Sequence, residues 1–214
     1  MNRPVSSGNA ELLAENLSYE INDKLILTDL SLAVRSGEIL FIEGGNGSGK
    51  TTLLRILCGL MQADEGRISW NGESIQSALL DCYQQLTYIG HATGVKPDLT
   101  TIENMKFFSA LSGLPASADF QSALEWVGLS GYENSPGRHL SYGQQRRIAL
   151  SRLMINSSLL WILDEPFAGL DKKMIEKLQD RFVEHANDGG LLILTSHQSI
   201  DLSKMNSISI HLGN

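Results

Sequence analysis

Only two of the 214 residues are cysteine, Cys58 and Cys82, and neither a CxxC pair nor a histidine at ligand spacing accompanies them. That excludes a disulfide framework and a zinc site as organising features. Basic residues are also in deficit, with 17 Lys and Arg against 24 Asp and Glu and a formal net charge of −7. Such a balance disfavours binding to a polyphosphate backbone, so no nucleic-acid partner is expected. The longest apolar run is the five residues from Leu159 to Leu163, far short of the roughly 20 that a membrane helix needs. No apolar signal region opens the chain, and the expectation is a cytosolic protein. There is no CxxCH, and the histidines at 91, 139, 185, 197 and 211 show no spacing suited to axial ligation, so no direct haem binding is expected.

What is present reads as one α/β domain over residues 1–214, with an inserted helical subdomain over about 92–147. Ile39-Leu40-Phe41-Ile42, the run 159–163 and Leu191-Leu192-Ile193-Leu194 are short and apolar throughout, as strands buried on both faces are. Helical patterns follow or separate them, from Lys50 to a stop at Gly59 and from Lys172 to Ala186. Alternation of this kind predicts a mainly parallel sheet. Asn71-Gly72 adds a small antiparallel hairpin. Within the insertion, Thr100 and Glu103 have capping-box spacing, and 117–127 and 141–155 carry helical periodicity.

Gly44-Gly45-Asn46-Gly47-Ser48-Gly49-Lys50-Thr51 fits G-x-x-x-x-G-K-[ST] in full and lies between a predicted strand and a predicted helix. Glycines let successive N–H groups turn toward a phosphate, the helix N-terminus adds positive potential, and Lys50 brings charge to the β and γ phosphates. Thr51 offers a hydroxyl to Mg²⁺, and Thr52 continues the helix start. Leu160-Trp161-Ile162-Leu163-Asp164-Glu165 sets two carboxylates at the end of a buried strand, where open α/β sheets bind ligands. Asp164 fits a Mg²⁺ role beside Thr51. Glu165 is then free to orient and deprotonate a water, a contribution worth about 10²- to 10⁴-fold. These features alone also fit a nucleotide kinase.

Leu140-Ser141-Tyr142-Gly143-Gln144-Gln145-Arg146-Arg147 decides between them, because it resembles the signature of the ATP-binding cassette (ABC) ATPases. The same residues also read as a plain capping box, Ser141 with Gln144. The order of the surrounding motifs favours the resemblance, which covers nearly the whole chain. It implies the P-loop NTPase fold of an ABC nucleotide-binding domain, Mg²⁺ with ATP, and a head-to-tail homodimer. In that dimer Ser141, Gly143 and Gln144 act in trans on ATP held by the other copy. It further implies adenine stacking at Tyr19, a D-loop aspartate at Asp171, and a catalytic switch histidine at His197. Two positions depart from the family pattern: His91 stands at the Q-loop position and Tyr142 where glycine is usual. Imidazole is a poorer Mg²⁺ ligand than an amide oxygen, but it can change charge near neutral pH. A tyrosine at 142 is tolerable only if it points away from the nucleotide.

Ile89-Gly90-His91 with Gly94, Glu103-Asn104 and the run from Leu160 to Phe167 is similar to the branch of the family that serves cytochrome c maturation, the haem-exporter ATP-binding subunits. That branch implies a peripheral protein on the cytoplasmic face of the bacterial inner membrane, bound to a polytopic membrane subunit. Its work would be haem export or release of a haem-loaded chaperone. An ABC exporter for lipid or peptide, and a non-transport ABC ATPase, are the competing readings.

Overall fold

The alternating residues ahead of the glycine-rich loop form two long antiparallel strands, β1 (Glu11–Ile21) and β2 (Lys24–Arg35). The computed structural model describes residues 10–77, 79–113, 119–196 and 206–213. Asn22 and Asp23 join the two strands, both at positive φ (50° and 58°), the conformation a two-residue hairpin turn requires. β4 (Glu65–Trp70) and β5 (Glu73–Ser74) form the expected second hairpin around Asn71-Gly72, at φ 54° and 83°. Together they make a four-stranded antiparallel sheet in the order β2-β1-β4-β5.

A second sheet carries the chemistry. It comprises β3 (Ile39–Gly44), β6 (Leu86–Ile89), β7 (Leu160–Leu163), β8 (Leu191–Thr195) and β9 (Ser207–Leu212), in the order β6-β7-β8-β3-β9, with every neighbouring pair parallel. All of β7 and β8 is buried, which is why their sequences are apolar without alternation. Because the strands run one way, the segments leaving β3, β6, β7 and β8 emerge along a single edge. Residues far apart in sequence thereby meet there.

Helix α1 (Lys50–Leu57) buries Leu53, Leu54, Ile56 and Leu57 in a core shared by both sheets, against Leu12 and Ala14 of β1 and Leu40 and Ile42 of β3. The opposite face of the parallel sheet is covered by α7 (Lys172–Asn187), whose Leu178 and Phe182 recur at helical spacing and pack on Trp161 and Leu192. Each such side chain contributes about 1.5–3 kcal/mol of burial. At the far end of α7, His185 is buried and stacks on the Trp161 indole, with centroids 3.6 Å apart and planes 2° from parallel.

Between β6 and β7 lie α3 (Thr101–Leu111), α4 (Phe120–Trp126), α5 (Tyr142–Leu150) and α6 (Arg152–Ile155). The expected capping box at Thr100 and Glu103 is present. The helix expected over 141–155 is broken at Ser151, whose hydroxyl donates to the Ile148 carbonyl at 2.7 Å. Such back-bonding competes with the helical ladder. Helices fill only part of 92–147. The stretch leading to α3 is held instead by the buried Asn104 amide, which donates to the carbonyls of Lys96, Leu99 and Thr100 and accepts from the Lys96 N–H. α2 (Leu79–Gln85) precedes β6. Among the described residues, no helix is long and apolar enough to cross a membrane.

Candidate functional site

A cavity of about 530 Å³ opens at the edge where the parallel strands end, and Lys50, Thr51, Asp164, Glu165 and His91 line it. The loop from Gly44 to Gly49 wraps between β3 and α1. Gly44, Gly47 and Gly49 take positive φ of 146°, 79° and 98°, which glycine adopts without steric cost. Gly49 is doubly constrained, because a Cβ there would sit 2.6 Å from the Ile26 side chain. The Lys50 ammonium is turned onto the loop itself and donates to the carbonyls of Gly44 and Gly45 at 2.7 and 2.9 Å. Asn46 and Thr52 also border the cavity.

Thr51 Oγ1 donates to Asp164 Oδ2 at 2.8 Å, across 113 residues of sequence, and Thr195 Oγ1 donates to Asp164 Oδ1 at 2.8 Å. Asp164 is almost wholly buried, and both carboxylate oxygens are thus fixed. Among the described residues, no group of three or more His, Cys, Asp or Glu side chains could hold a metal unaided. The adjoining Thr51 hydroxyl and Asp164 carboxylate instead suit Mg²⁺, a hard cation that takes few protein oxygens and completes its shell from phosphate and water. Glu165 follows with φ of +51°, left-handed and uncommon for a residue with a Cβ. Its N–H donates to Thr195 Oγ1 at 2.9 Å and its carbonyl accepts from Arg146 at 2.8 Å. Backbone bonds on both sides therefore hold a strained conformation.

The signature residues lie elsewhere in the chain. A separate cavity of about 380 Å³ is lined by Ser141, Gly143, Gln144, Arg147 and Asp171, and it shares no lining residue with the first. Ser141 caps α5 in a capping box with Gln144, so the capping interpretation of the sequence describes the local geometry. Gly143 is required by close approach, since a Cβ would meet the Gly169 carbonyl at 2.5 Å. Asp171 caps α7 by accepting from the Met174 N–H and also pairs with Arg147 at 2.6 Å. The cap and the guanidinium together hold its carboxyl below the usual range. Tyr142 borders neither cavity. Its ring lies against Gly169, and its hydroxyl reaches the His91 carbonyl at 3.5 Å, a long contact.

Tyr19 is not brought to the phosphate cavity. It packs against the shared core, while Ile21 and Ile26 form the apolar wall of the cavity. The cause is a register shift: Tyr19 pairs with Leu27 but Glu20 with Leu25, which leaves Ile26 as an extra residue at the bend. His197 lies outside the described residues. Gly44, Gly45 and Ser48 belong to the phosphate loop, but none of the three is among the residues lining the cavity. Thr195 and Arg146, which hold the two carboxylate-bearing residues, were not singled out from the sequence. A polar residue ending the apolar run of β8 was the only available hint of the first.

A phosphate loop at a strand end, a hydroxyl bonded to a buried aspartate, and an adjacent glutamate on a parallel sheet make a P-loop nucleotide site. The ABC transporter family model matches residues 27–168, and the chain belongs to that family. It is 46% identical over 198 residues to the cytochrome c biogenesis ATP-binding export protein CcmA of Hahella chejuensis, covering 92% of this chain and 94% of that relative. The protein of the same name from Photobacterium profundum is 44% identical over 214 residues, covering 94% and 99%. A solved ATP-binding subunit of an ABC transporter superposes with a TM-score of 0.84 at 26% identity, over 94% of this chain and 85% of that one.

Proposed function

We propose that this chain is the ATP-hydrolysing subunit of a complex for c-type cytochrome biogenesis, bound to a polytopic membrane subunit at the cytoplasmic face of a bacterial inner membrane. In that setting it would energise haem export or the release of a haem-loaded chaperone. The hydrolytic part rests on one observation above all. Thr51, Asp164 and Glu165, from a helix and a strand far apart in sequence, face one cavity together with Lys50. The biological part rests on relatives of 42–46% identity named as cytochrome c biogenesis ATP-binding export proteins; the haem cargo and the membrane subunit are the extension proposed here.

On this reading Lys50 exchanges the Gly44 and Gly45 carbonyls for the β and γ phosphates, and the loop N–H groups cradle the same anion. Thr51 and Asp164 would hold the Mg²⁺ that accompanies ATP, which would neutralise charge on the phosphates. Glu165 accepts a proton from water as the water oxygen bonds to the γ-phosphorus and the bond to the ADP oxygen breaks. The Ser141–Gly143 turn, which borders a cavity of its own and not the phosphate cavity, suits contact with ATP on a second copy in a head-to-tail dimer. His91 borders the reaction cavity at the Q-loop position, where a change of its charge would make coupling depend on pH, and the family resemblance gives the γ-phosphate contact to His197.

The test is affinity capture of the tagged Glu165→Gln chain from solubilised membranes with ATP, with partners identified by mass spectrometry and ATP turnover measured on the complex. Polytopic haem-handling subunits should be recovered in an ATP-dependent manner, with turnover reduced about 10²- to 10⁴-fold. A different membrane subunit would leave the ATPase chemistry standing and remove the cytochrome c assignment. Unchanged turnover would remove Glu165 as the base.

A further inference from the structure

We infer that Arg146 is a positioning residue for hydrolysis, fixing the backbone of Glu165 and the start of the His91 loop to the signature helix. This builds on the assignment of Glu165 as base. Arg146 sits on α5 and its side chain is wholly buried. Its guanidinium donates to three backbone carbonyls, those of Gly90 at 2.7 Å, Asp164 at 2.5 Å and Glu165 at 2.8 Å. A buried charge met by carbonyls rather than by a bonded carboxylate carries a heavy desolvation cost, and a packing role alone would be served by an apolar side chain.

The acceptors tell what that charge holds. Two belong to the consecutive residues that bear the site's carboxylates, and one of these, Glu165, is in the left-handed conformation. The third belongs to the residue just before His91. A planar fork can bridge two strand ends in a way that a lysine ammonium or a single amide cannot. A second, partly buried arginine reinforces the geometry: Arg152 of α6 donates to the Tyr88 carbonyl at 3.0 Å. The end of β6 is therefore gripped at two alternate carbonyls by the segment that begins with the signature. Motion of that segment would reach the Glu165 backbone through Arg146, without passing through the nucleotide.

The experiment compares Arg146→Lys, Arg146→Gln and Glu165→Gln in the full chain, assayed with the membrane subunit that co-purifies. Turnover is expressed per ADP-binding site titrated by calorimetry, so a partly unfolded preparation does not register as a loss of kcat. For Arg146→Gln, kcat should fall about ten- to hundredfold, the cost of losing charge-assisted bonds, with KM for ATP and Kd for ADP within about twofold. Arg146→Lys, which keeps the charge but not the fork, should recover part of that loss. Parental kcat per site in Arg146→Gln, with Glu165→Gln inactive, would overturn the inference while leaving the base assignment intact. Loss of ADP affinity in step with kcat would also overturn it, because that is the signature of general packing. An active Glu165→Gln would instead remove the base assignment itself.

Discussion

The stack of His185 on Trp161 makes stability depend on pH in a way that can be worked out. Burial pushes the His185 imidazole down from 6.5 to about 4, outweighing the carbonyls of Leu191 and Leu159 and the carboxylate of Asp188, while Arg181 depresses it further. Between those two values the unfolded chain takes up a proton that the folded chain refuses. Unfolding is therefore favoured as pH falls: the stabilisation is complete above 6.5 and is lost down to the folded value. The shift corresponds to about 3 kcal/mol in all, of which roughly 2 kcal/mol would be gone near pH 5. That is a large share of a typical domain's stability. Between pH 7 and pH 5 the parent should lose about 2 kcal/mol more stability in urea unfolding than His185→Phe, which keeps a flat ring on the indole. Exposed acids such as Glu103 and Asp119, lowered by their capping bonds, affect both proteins alike and cancel. Parallel curves between pH 7 and pH 4.5 would refute the argument.

Two further outcomes follow from contacts already described. Gly143→Ala should lower ATP turnover at least tenfold and leave ADP affinity unchanged, since its Cβ would strike the Gly169 carbonyl while the phosphate loop is untouched; paired turnover and calorimetric measurements check this. Cys58 and Cys82 are buried, with the first thiol raised well above its ordinary value and the second to about 11. Neither should react with a thiolate-selective reagent at pH 8 in the native chain, and both should react in urea.

The phosphate loop, Asp164 and Glu165 were legible in the sequence because each belongs to a short pattern whose chemistry is local. The apolar runs that became β3, β7 and β8 were equally plain. Other features depend on partners distant along the chain. The three carbonyls bound by Arg146 lie 18, 19 and 56 residues away, so its role could not be read from the signature. The direction of Tyr142 depends on Gly169, and the absence of Tyr19 from the cavity on the irregular pairing near Ile26. β6 and α2 are short, four and seven residues, and carry too little periodicity to stand out. The break at Ser151 is a competition between one hydroxyl and the helix ladder, which composition does not resolve.

Glu165 occupies a backbone conformation that favours glycine, so the chemistry proposed for it and the stability of the fold make opposite demands on one position. Relief of left-handed strain is worth about 1–2 kcal/mol, partly offset by the greater freedom of an unfolded glycine. A laboratory selection for heat resistance alone would thus be drawn toward Glu165→Gly, and would enrich chains that are harder to melt and no longer able to activate water.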